Sequence, residues 1–343
     1  MTLVGFRVAV VGIGAVGQTM LRVLRERKFP ADSVKVLART ARKQVVDGHE
    51  YEVREVNEAE FADVDIALFA GSEGVGGASE TYAPGAAARG VYVVDNAGAF
   101  RMYPNVPLVV PEVNFDAATA EHRHIANPNC STIQMVVALA PLHRVARIKR
   151  IVVSTYQSVS GRSLSAVEEC GKQSRAVLDG QEPEVDTSII ARQIGFNCVP
   201  HIDAFLPDGY TKEEQKMVRE TRKILGDDTI QVSPTTVRVP ALFAHAESIN
   251  VEFKQRITAA EAREILSKAP GVIVMDDPAN AVYPTQIDAQ GRDETFVGRI
   301  REDSTVDNGL NLWVVADNLR KGAATNAIQI AEMAIQAGFI QPK

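Results

Sequence analysis

The chain has 343 residues, 45% hydrophobic and 23% charged, long and apolar enough for two packed domains rather than one core. A net charge of −6 excludes a protein held to nucleic acid by a basic surface, and no apolar run reaches the ~18–20 residues that span a bilayer. Three cysteines (Cys130, Cys170, Cys198) without a CxxC spacing argue against a disulfide framework and a structural zinc site, so no metal is expected.

The first residues run straight into a strand pattern with no basic stretch, apolar segment or cleavage site, and a cytoplasmic protein is expected. Residues 6–11 (FRVAVV) read as a buried strand. GIGAVG (12–17) follows, then QTMLRVLRERKF with helical apolar spacing and a second strand at 34–37, which together make a βαβ unit. Strands at 64–70 and 91–96, with a helix between them from Ser79 to Arg89, extend the alternation and predict a mostly parallel sheet. Near residue 150 the rhythm changes. IVVSTYQSVSG, TTVRVPAL, HAESINVEF, FVGRIRED and LNLWVVAD read as strands, with Asp307-Asn308-Gly309 as a hairpin turn between the last two. Helices are expected at about 162–179 and 211–225, the second opened by a Thr211/Glu214 capping box. A final helix at about 322–337 carries alanines suited to packing back on the first domain. The expected architecture is α/β: a Rossmann-like domain of residues 1–129 and 320–343, and an α+β domain with a mixed sheet over 130–319.

GIGAVG places its glycines directly after a strand and at the opening of a helix. There the backbone can approach a pyrophosphate, and the helix N-terminus supplies N–H groups and partial positive charge. Gly12, Gly14, Ala15, Val16 and Gly17 are the candidate contacts; a tight turn with no ligand is the alternative. NAD sites commonly place an acid after the second strand, whereas this chain has Arg39, Thr40, Arg42 and Lys43, which suit the 2′-phosphate of NADP.

Asn127-Pro128-Asn129-Cys130-Ser131-Thr132 precedes the apolar run IQMVVALAPL, so Cys130 is expected in the first turn of a helix. The helix dipole there favours thiolate, and free N–H groups can hold an oxyanion. A nucleophilic cysteine after a dinucleotide domain points to an acyl-thioester reduced by, or formed with, a nicotinamide; a buried structural cysteine is the alternative. Cys170 and Cys198 read as inert packing residues. His49, His122, His124, His143 and His201 read as surface or packing residues.

At NPNCSTIQMVVALAPL the chain resembles the aspartate-β-semialdehyde dehydrogenases. The resemblance continues through TYQSVSG, TKEEQKMVRETRKILG, TTVRVPALFAHAESINVEF and VGRIREDSTVDNGLNLWVVADNLRKGAATNAIQIAE, and so covers nearly the whole chain. Asn129 before the cysteine sets it apart from glyceraldehyde-phosphate dehydrogenases and N-acetyl-glutamyl-phosphate reductases. The resemblance implies NADPH-dependent reduction of β-aspartyl phosphate to aspartate semialdehyde with release of inorganic phosphate, in lysine/diaminopimelate, threonine and methionine biosynthesis. Cys130 would attack the acyl phosphate, and Gln157 would orient substrate near the thiol. His245 would serve as the general acid/base, a task its unperturbed pKa near 6.5 suits.

By the same resemblance Arg238 would grip the α-carboxylate, Glu213 the α-ammonium, and Arg101 and Lys216 the phosphate; a bidentate arginine is the suitable fork for a carboxylate. Ser160, Gly161 and Asn318 would line the nicotinamide. Taken alone, Glu213 and Lys216, three apart on a helix, read as a surface ion pair. Arg238 and His245 are seven apart and would face opposite sides of one continuous strand, so a break near Pro240 is predicted. The family's first loop usually reads GxTGxVG, one residue longer than here, and LARTARKQ departs from its usual serine-containing form. A homodimer or homotetramer joined through the second domain is expected, with no nucleic-acid or membrane partner. Two alternatives stand beside this reading: a sister reductase of another acyl phosphate or acyl-CoA, of the malonyl-CoA reductase type, and a catalytically silent NADP sensor.

Overall fold

A computed structural model describes residues 5–71 and 77–342. The chain divides into two compact units, Met1–Asn129 with Ala323–Lys343, and Cys130–Gly322.

The first unit runs β1 (Phe6–Val11), α1 (Ala15–Glu26), β2 (Ala31–Ala38), β3 (Arg42–Val46), β4 (His49–Glu55), β5 (Ile66–Phe69), α2 (Ala78–Ala88), β6 (Tyr92–Asp95), α3 (Pro111–Asn114) and β7 (His124–Ala126). These strands form one sheet in the order β3-β4-β2-β1-β5-β6-β7. All neighbours are parallel except β3 and β4. β1 is apolar on both sides because helices cover both faces of a parallel sheet; Val8 through Val11 are buried. The strand order reverses at β1, so its carboxyl end opens at the switch point where such sheets bind ligands.

The glycines of the next turn are there for steric reasons. Gly12 has φ +100, and a Cβ on Gly17 would lie 1.9 Å from the Gly12 carbonyl oxygen. Gly14 caps α1 with no side-chain bond to the helix amides, and no atom of the described residues lies within 4 Å of where its Cβ would be. The first turn of α1 thus meets an open cradle with its N–H groups available to an anion, as a bound pyrophosphate requires.

One expectation in this unit is corrected. Arg42 and Lys43 do not lie in a loop after β2 but open β3, which turns at Asp47-Gly48 (φ 50 and 79) and returns as β4. Two successive residues at positive φ make the tight turn whose twist matches a hairpin.

The second unit comprises α4 (Cys130–Ala146), β8 (Ile148–Gln157), α5 (Leu164–Leu178), α6 (Lys212–Leu225), β9 (Gln231–Arg238), β10 (His245–Phe253), α7 (Ala259–Ser267), β11 (Val272–Val274), α8 (Gln286–Ala289), β12 (Thr295–Asp303) and β13 (Gly309–Ala316). Its sheet has the order β11-β12-β13-β10-β8-β9 and is mixed: β8–β9 and β11–β12 are parallel, the rest antiparallel. α4, α6 and α7 pack on this sheet. Cover on one face explains the alternation along the strands. Ile151, Val153, Thr155 and Gln157 of β8 are buried, while Tyr156 on the opposite face is exposed and packs at a tilt against Trp313. α4 is buried nearly all round, which is why its sequence is apolar without a polar stripe. The strand after Arg238 does break, and residues 239–244 separate β9 from β10. After a five-residue π turn, α9 (Thr325–Gln336) belongs to the first unit and packs beside α1, where Arg27 meets Glu332 at 2.6 Å.

Because no atom can occupy the space where Gly17 faces Gly12, Gly17→Ala should force α1 away from the turn at a cost of about 1–3 kcal/mol. Thermal melting should show the loss of stability, and a nucleotide titration should show weakened dinucleotide binding.

Candidate active site

Cys130 is the first residue of α4 and is partly accessible, whereas the residues behind it are buried. A thiol in that position feels the positive end of the helix. A Cβ on Gly322 would lie 2.9 Å from the Cβ of Cys130, so glycine at 322 leaves the cysteine its space.

Three expected residues meet at the ends of three adjacent strands. Gln157 ends β8 and pairs directly with Arg238, the last residue of β9. His245 opens β10 one residue before the Ala246–Tyr156 pair, which brings it alongside Gln157 from the other side. All three sit on the covered face and are buried. The connections that hold them are backbone bonds: Val239 N–H donates to the Gln157 carbonyl (2.9 Å), Val159 N–H to Ala241 (2.9 Å) and Ser160 N–H to Leu242 (3.2 Å).

Arg238 is the electrostatic centre. Its Nη1 donates to the Ser158 carbonyl at 2.8 Å. Burial depresses its pKa, while Glu213 and the Cys130 thiol, close enough to interact by charge, pull it back up and Arg162 opposes them. Gly161 lies between Arg238 and His245: a Cβ there would sit 2.9 Å from the His245 Cε1 and 3.0 Å from the Arg238 Nη1. The His245 ring is wholly buried, and burial together with Arg238 lowers its pKa to about 3.

The Glu213–Lys216 pair is not a surface pair. The capping box of α6 is formed, with Thr211 and Glu214 exchanging bonds, and Glu214 also accepts from the Thr236 amide of β9 at 2.9 Å. That locks the first turn of α6 against the sheet. Glu213 is consequently buried and accepts from the Gln157 Nε2 at 3.2 Å. Lys216 lies 3.5 Å from Glu213 and 3.0 Å from Asp203. Against a burial cost, the Ala204 amide and Lys216 hold the Asp203 carboxyl below its ordinary range.

Ser160 and Asn318 are both buried and bond to each other, and Asn318 Oδ1 also accepts from Ser158 Oγ (3.1 Å) and the Ala244 amide (3.0 Å). Gly161 is exposed at the edge of the same turn. Arg101 belongs to the first unit, where it is buried and its Nη2 donates to the Asn96 carbonyl at 2.6 Å. The glycine-turn residues, with Ala15 and Val16, belong to that unit too, as do Arg39 and Thr40, both exposed just beyond β2. Arg42 is occupied with Gln44 and the Thr40 carbonyl, and Lys43 with Glu50, whereas Arg39 has no partner among the described residues. Cys170 is buried as expected; Cys198 is exposed, while its neighbour Val199 takes the buried position in the same irregular segment, and that expectation is corrected.

The comparisons with known proteins follow the same division. Residues 7–121 match the family described as semialdehyde dehydrogenase, NAD binding domain, and residues 139–321 the semialdehyde dehydrogenase, dimerisation domain. The chain is 52% identical to the aspartate-semialdehyde dehydrogenase of Aquifex aeolicus, over 98% of this chain and 100% of that protein. The chain belongs to the aspartate-semialdehyde dehydrogenase family. It is 50% identical to the enzyme of Legionella pneumophila, over 97% of this chain and 96% of that one. The crystal structure of aspartate-semialdehyde dehydrogenase II from Vibrio cholerae complexed with ASA superposes with a TM-score of 0.90 at 46% identity, covering 97% of this chain and 98% of that one. As a member of this family the protein is an oxidoreductase of amino-acid biosynthesis, built on a nicotinamide-dinucleotide domain and a dimerisation domain. No helix among the described residues is long and apolar enough to cross a membrane.

Four residues of the site escaped the sequence reading: Ser158, Asp203, Gln134 and Glu247. Glu247 was the most accessible to reasoning, since alternation along β10 puts it on the same covered face as His245, Ile249 and Val251. Among the described residues, neither of its carboxyl oxygens, nor the Gln134 Nε2, has a hydrogen-bond partner. Burial pushes its pKa well above the carboxylate range, and the nearby Gln134 amide softens the shift without reaching hydrogen-bonding geometry. Native protein therefore keeps a proton that the unfolded chain releases, and stability falls as pH rises above the ordinary carboxylate range. Glu247→Gln removes this term, so its melting temperature should gain on the parent's as pH is raised from 5 to 8. A gap independent of pH would mean that Glu247 is ionised in the folded state.

Proposed function

We propose that this protein catalyses the NADPH-dependent reductive dephosphorylation of L-aspartyl-4-phosphate to L-aspartate-4-semialdehyde through an acyl-thioester on Cys130. The observation that carries this reading is the position of Cys130 at the N-terminus of α4, within electrostatic range of the buried Arg238. The strand ends of the same unit supply Gln157 and His245. A sulfur in that field is favoured as thiolate, the form that attacks an acyl carbon.

The substrate's charges match the side chains. Arg238 offers a fork for the α-carboxylate, and Glu213 a carboxylate for the α-ammonium. Gln157, bonded to Glu213, is held ready to orient the acyl group, and Lys216 and Arg101 serve the phosphate. Attack by Sγ forms the C–S bond and breaks the bond to phosphate, which leaves with its electron pair. His245 is the proposed general acid/base for the reacting group. A bound nicotinamide supplies the hydride that turns the thioester into aldehyde. The open cradle of Gly12, Gly14, Ala15, Val16 and Gly17 would hold its pyrophosphate, and Ser160, Gly161 and Asn318 would border its ring. NADP is the proposed form, and an exposed Arg39 with Thr40 beside it, just beyond β2, supports that reading as a cation suited to a 2′-phosphate. The protein is proposed to work in the cytoplasm as a homodimer or homotetramer, feeding synthesis of lysine and diaminopimelate, threonine and methionine. The complex with ASA of the Vibrio cholerae relative supports the choice of substrate.

The test follows NADPH formation from aspartate semialdehyde with and without phosphate or arsenate. The reading requires phosphate dependence; equal rates without it would favour the sister reductase. Cys130→Ala should abolish turnover and leave NADPH binding intact, and undiminished activity would end the thioester mechanism. Arg39→Asp should shift the NADP-to-NAD preference by about tenfold or more, the value of one charge-assisted contact.

A further inference from the structure

Lys216 stands between two carboxylates that are held in different ways. Glu213, 3.5 Å away, lies one turn back on the same helix, is buried, and also accepts from the Gln157 Nε2 at 3.2 Å. Asp203 comes from a separate segment, and its side chain is a quarter exposed. Its Oδ2 accepts from Lys216 at 3.0 Å and its Oδ1 from the Ala204 amide at 2.7 Å. Letting go of Lys216 would therefore cost Asp203 one contact, leave the other in place and turn Oδ2 to water. Glu213 has no such freedom.

The backbone around Asp203 is tied down. Ile202 before it is buried, and the Ala204 carbonyl after it accepts from the Lys212 amide at 2.9 Å. Further along, the Leu206 amide donates to the Tyr210 carbonyl at 2.7 Å, and Asp208 accepts from the Gln215 Nε2 at 3.2 Å. Asp203 itself has φ +67, a left-handed conformation that Asp and Asn tolerate better than most side chains. A fixed backbone thus presents the carboxylate to α6, and rotation of the side chain alone takes it off the lysine. An anion attached in this way competes for a cation at a high effective concentration.

We propose that Asp203 is an internal competitor for phosphate at Lys216: its carboxylate holds the lysine in the free protein, yields when phosphate binds and retakes the lysine as phosphate leaves. The proposal deepens the reaction proposed above and rests on its assignment of Lys216 to phosphate. No covalent bond changes in this exchange. One ion pair replaces another, and Lys216 keeps an anionic partner at each stage, so the partly buried ammonium is never left alone. The consequence is a weakly held product. Phosphate is released once for each thioester formed, and the competing carboxylate helps to empty the subsite for the next acyl phosphate. The acyl phosphate meets the same competition but has further charged groups for Arg238 and Glu213 to hold; inorganic phosphate has none. Asp203 acts through Lys216 and is a positioning residue.

The test compares the full chain with Asp203→Asn, which keeps the size and the tolerance of the left-handed backbone and removes the charge. In NADPH formation from aspartate semialdehyde, the KM for inorganic phosphate should fall about three- to fivefold, the weight of one partly exposed ion pair. The KM for aspartate semialdehyde should move by less than about twofold; a merely structural role would raise both together. In a Lys216→Met background the gain should vanish, because the contested cation is gone. Calorimetric titration of inorganic phosphate into Cys130→Ala, with and without Asp203→Asn, should show the same gain in affinity without any turnover. Phosphate affinity that is unchanged or weaker in Asp203→Asn, or a gain that survives Lys216→Met, would overturn the proposal. Failure of the underlying reaction would look different, as equal rates of NADPH formation by the parent with and without phosphate.

Discussion

The site depends on one constraint, the burial of the Arg238 guanidinium. Taken out of water, a cation has to be answered by neighbouring polar groups, or it destabilises the fold. Here the Ser158 carbonyl takes a hydrogen bond from it, Glu213 supplies a fixed negative charge, and the Cys130 thiol is near enough to interact. Burial, and after it this same cation, lowers the pKa of the adjacent imidazole. One buried positive charge therefore favours an anion at residue 130 and disfavours a second cation at residue 245. The two groups proposed to act on the acyl carbon and its oxygen thus sit in opposite electrostatic settings.

The outer layer repeats this balance further from the sulfur. Glu213 is shared between Gln157 and Lys216, and Lys216 between Glu213 and Asp203. Each member is partnered in the free protein, so none of them has to be desolvated alone. The arrangement exists because the capping box of α6 is bonded to β9 through Glu214. A helix end that is fixed in this way can present two of its first-turn side chains inward.

Much of this was legible in the chain. Period-2 and period-3.6 patterns located β1, β5, β6, β8, β10, β13, α1, α2 and α6, and Pro128-Asn129 predicted the start of α4 at Cys130. The β3–β4 hairpin is signalled only by Asp47-Gly48, since the basic residues before it carry no strand alternation that sets them apart from a cofactor loop. Glu213 and Lys216 show why the site itself was harder. Their spacing describes a surface ion pair equally well, and only the sheet beneath α6, contributed by β8 and β9, makes that face an interior one. Asp203 had no signal at all: it reaches Lys216 through an irregular segment at φ 67 that no periodicity announces. Pairing partners that are far apart in sequence and held by loops leave no trace in a local pattern.

Three polar groups under α4 and beside β10 gain their roles by being kept neutral. His245 is uncharged because burial and Arg238 oppose protonation, and Glu247 because burial opposes ionisation. Gln134, one turn behind Cys130 on α4, has no charge to lose and lies next to the Glu247 carboxyl. An ionised Glu247 in this layer would set a second negative charge behind the turn that carries the thiol, in a medium where charges are poorly screened. It would raise the cost of forming the Cys130 thiolate that Arg238 and the helix dipole lower. A protonated carboxyl avoids that conflict and still fills the polar position between strand and helix. The strand alternation that places His, Glu, Ile, Val and Phe at 245, 247, 249, 251 and 253 thus changes along its length from chemistry to core, and the neutral acid at 247 is the boundary between them.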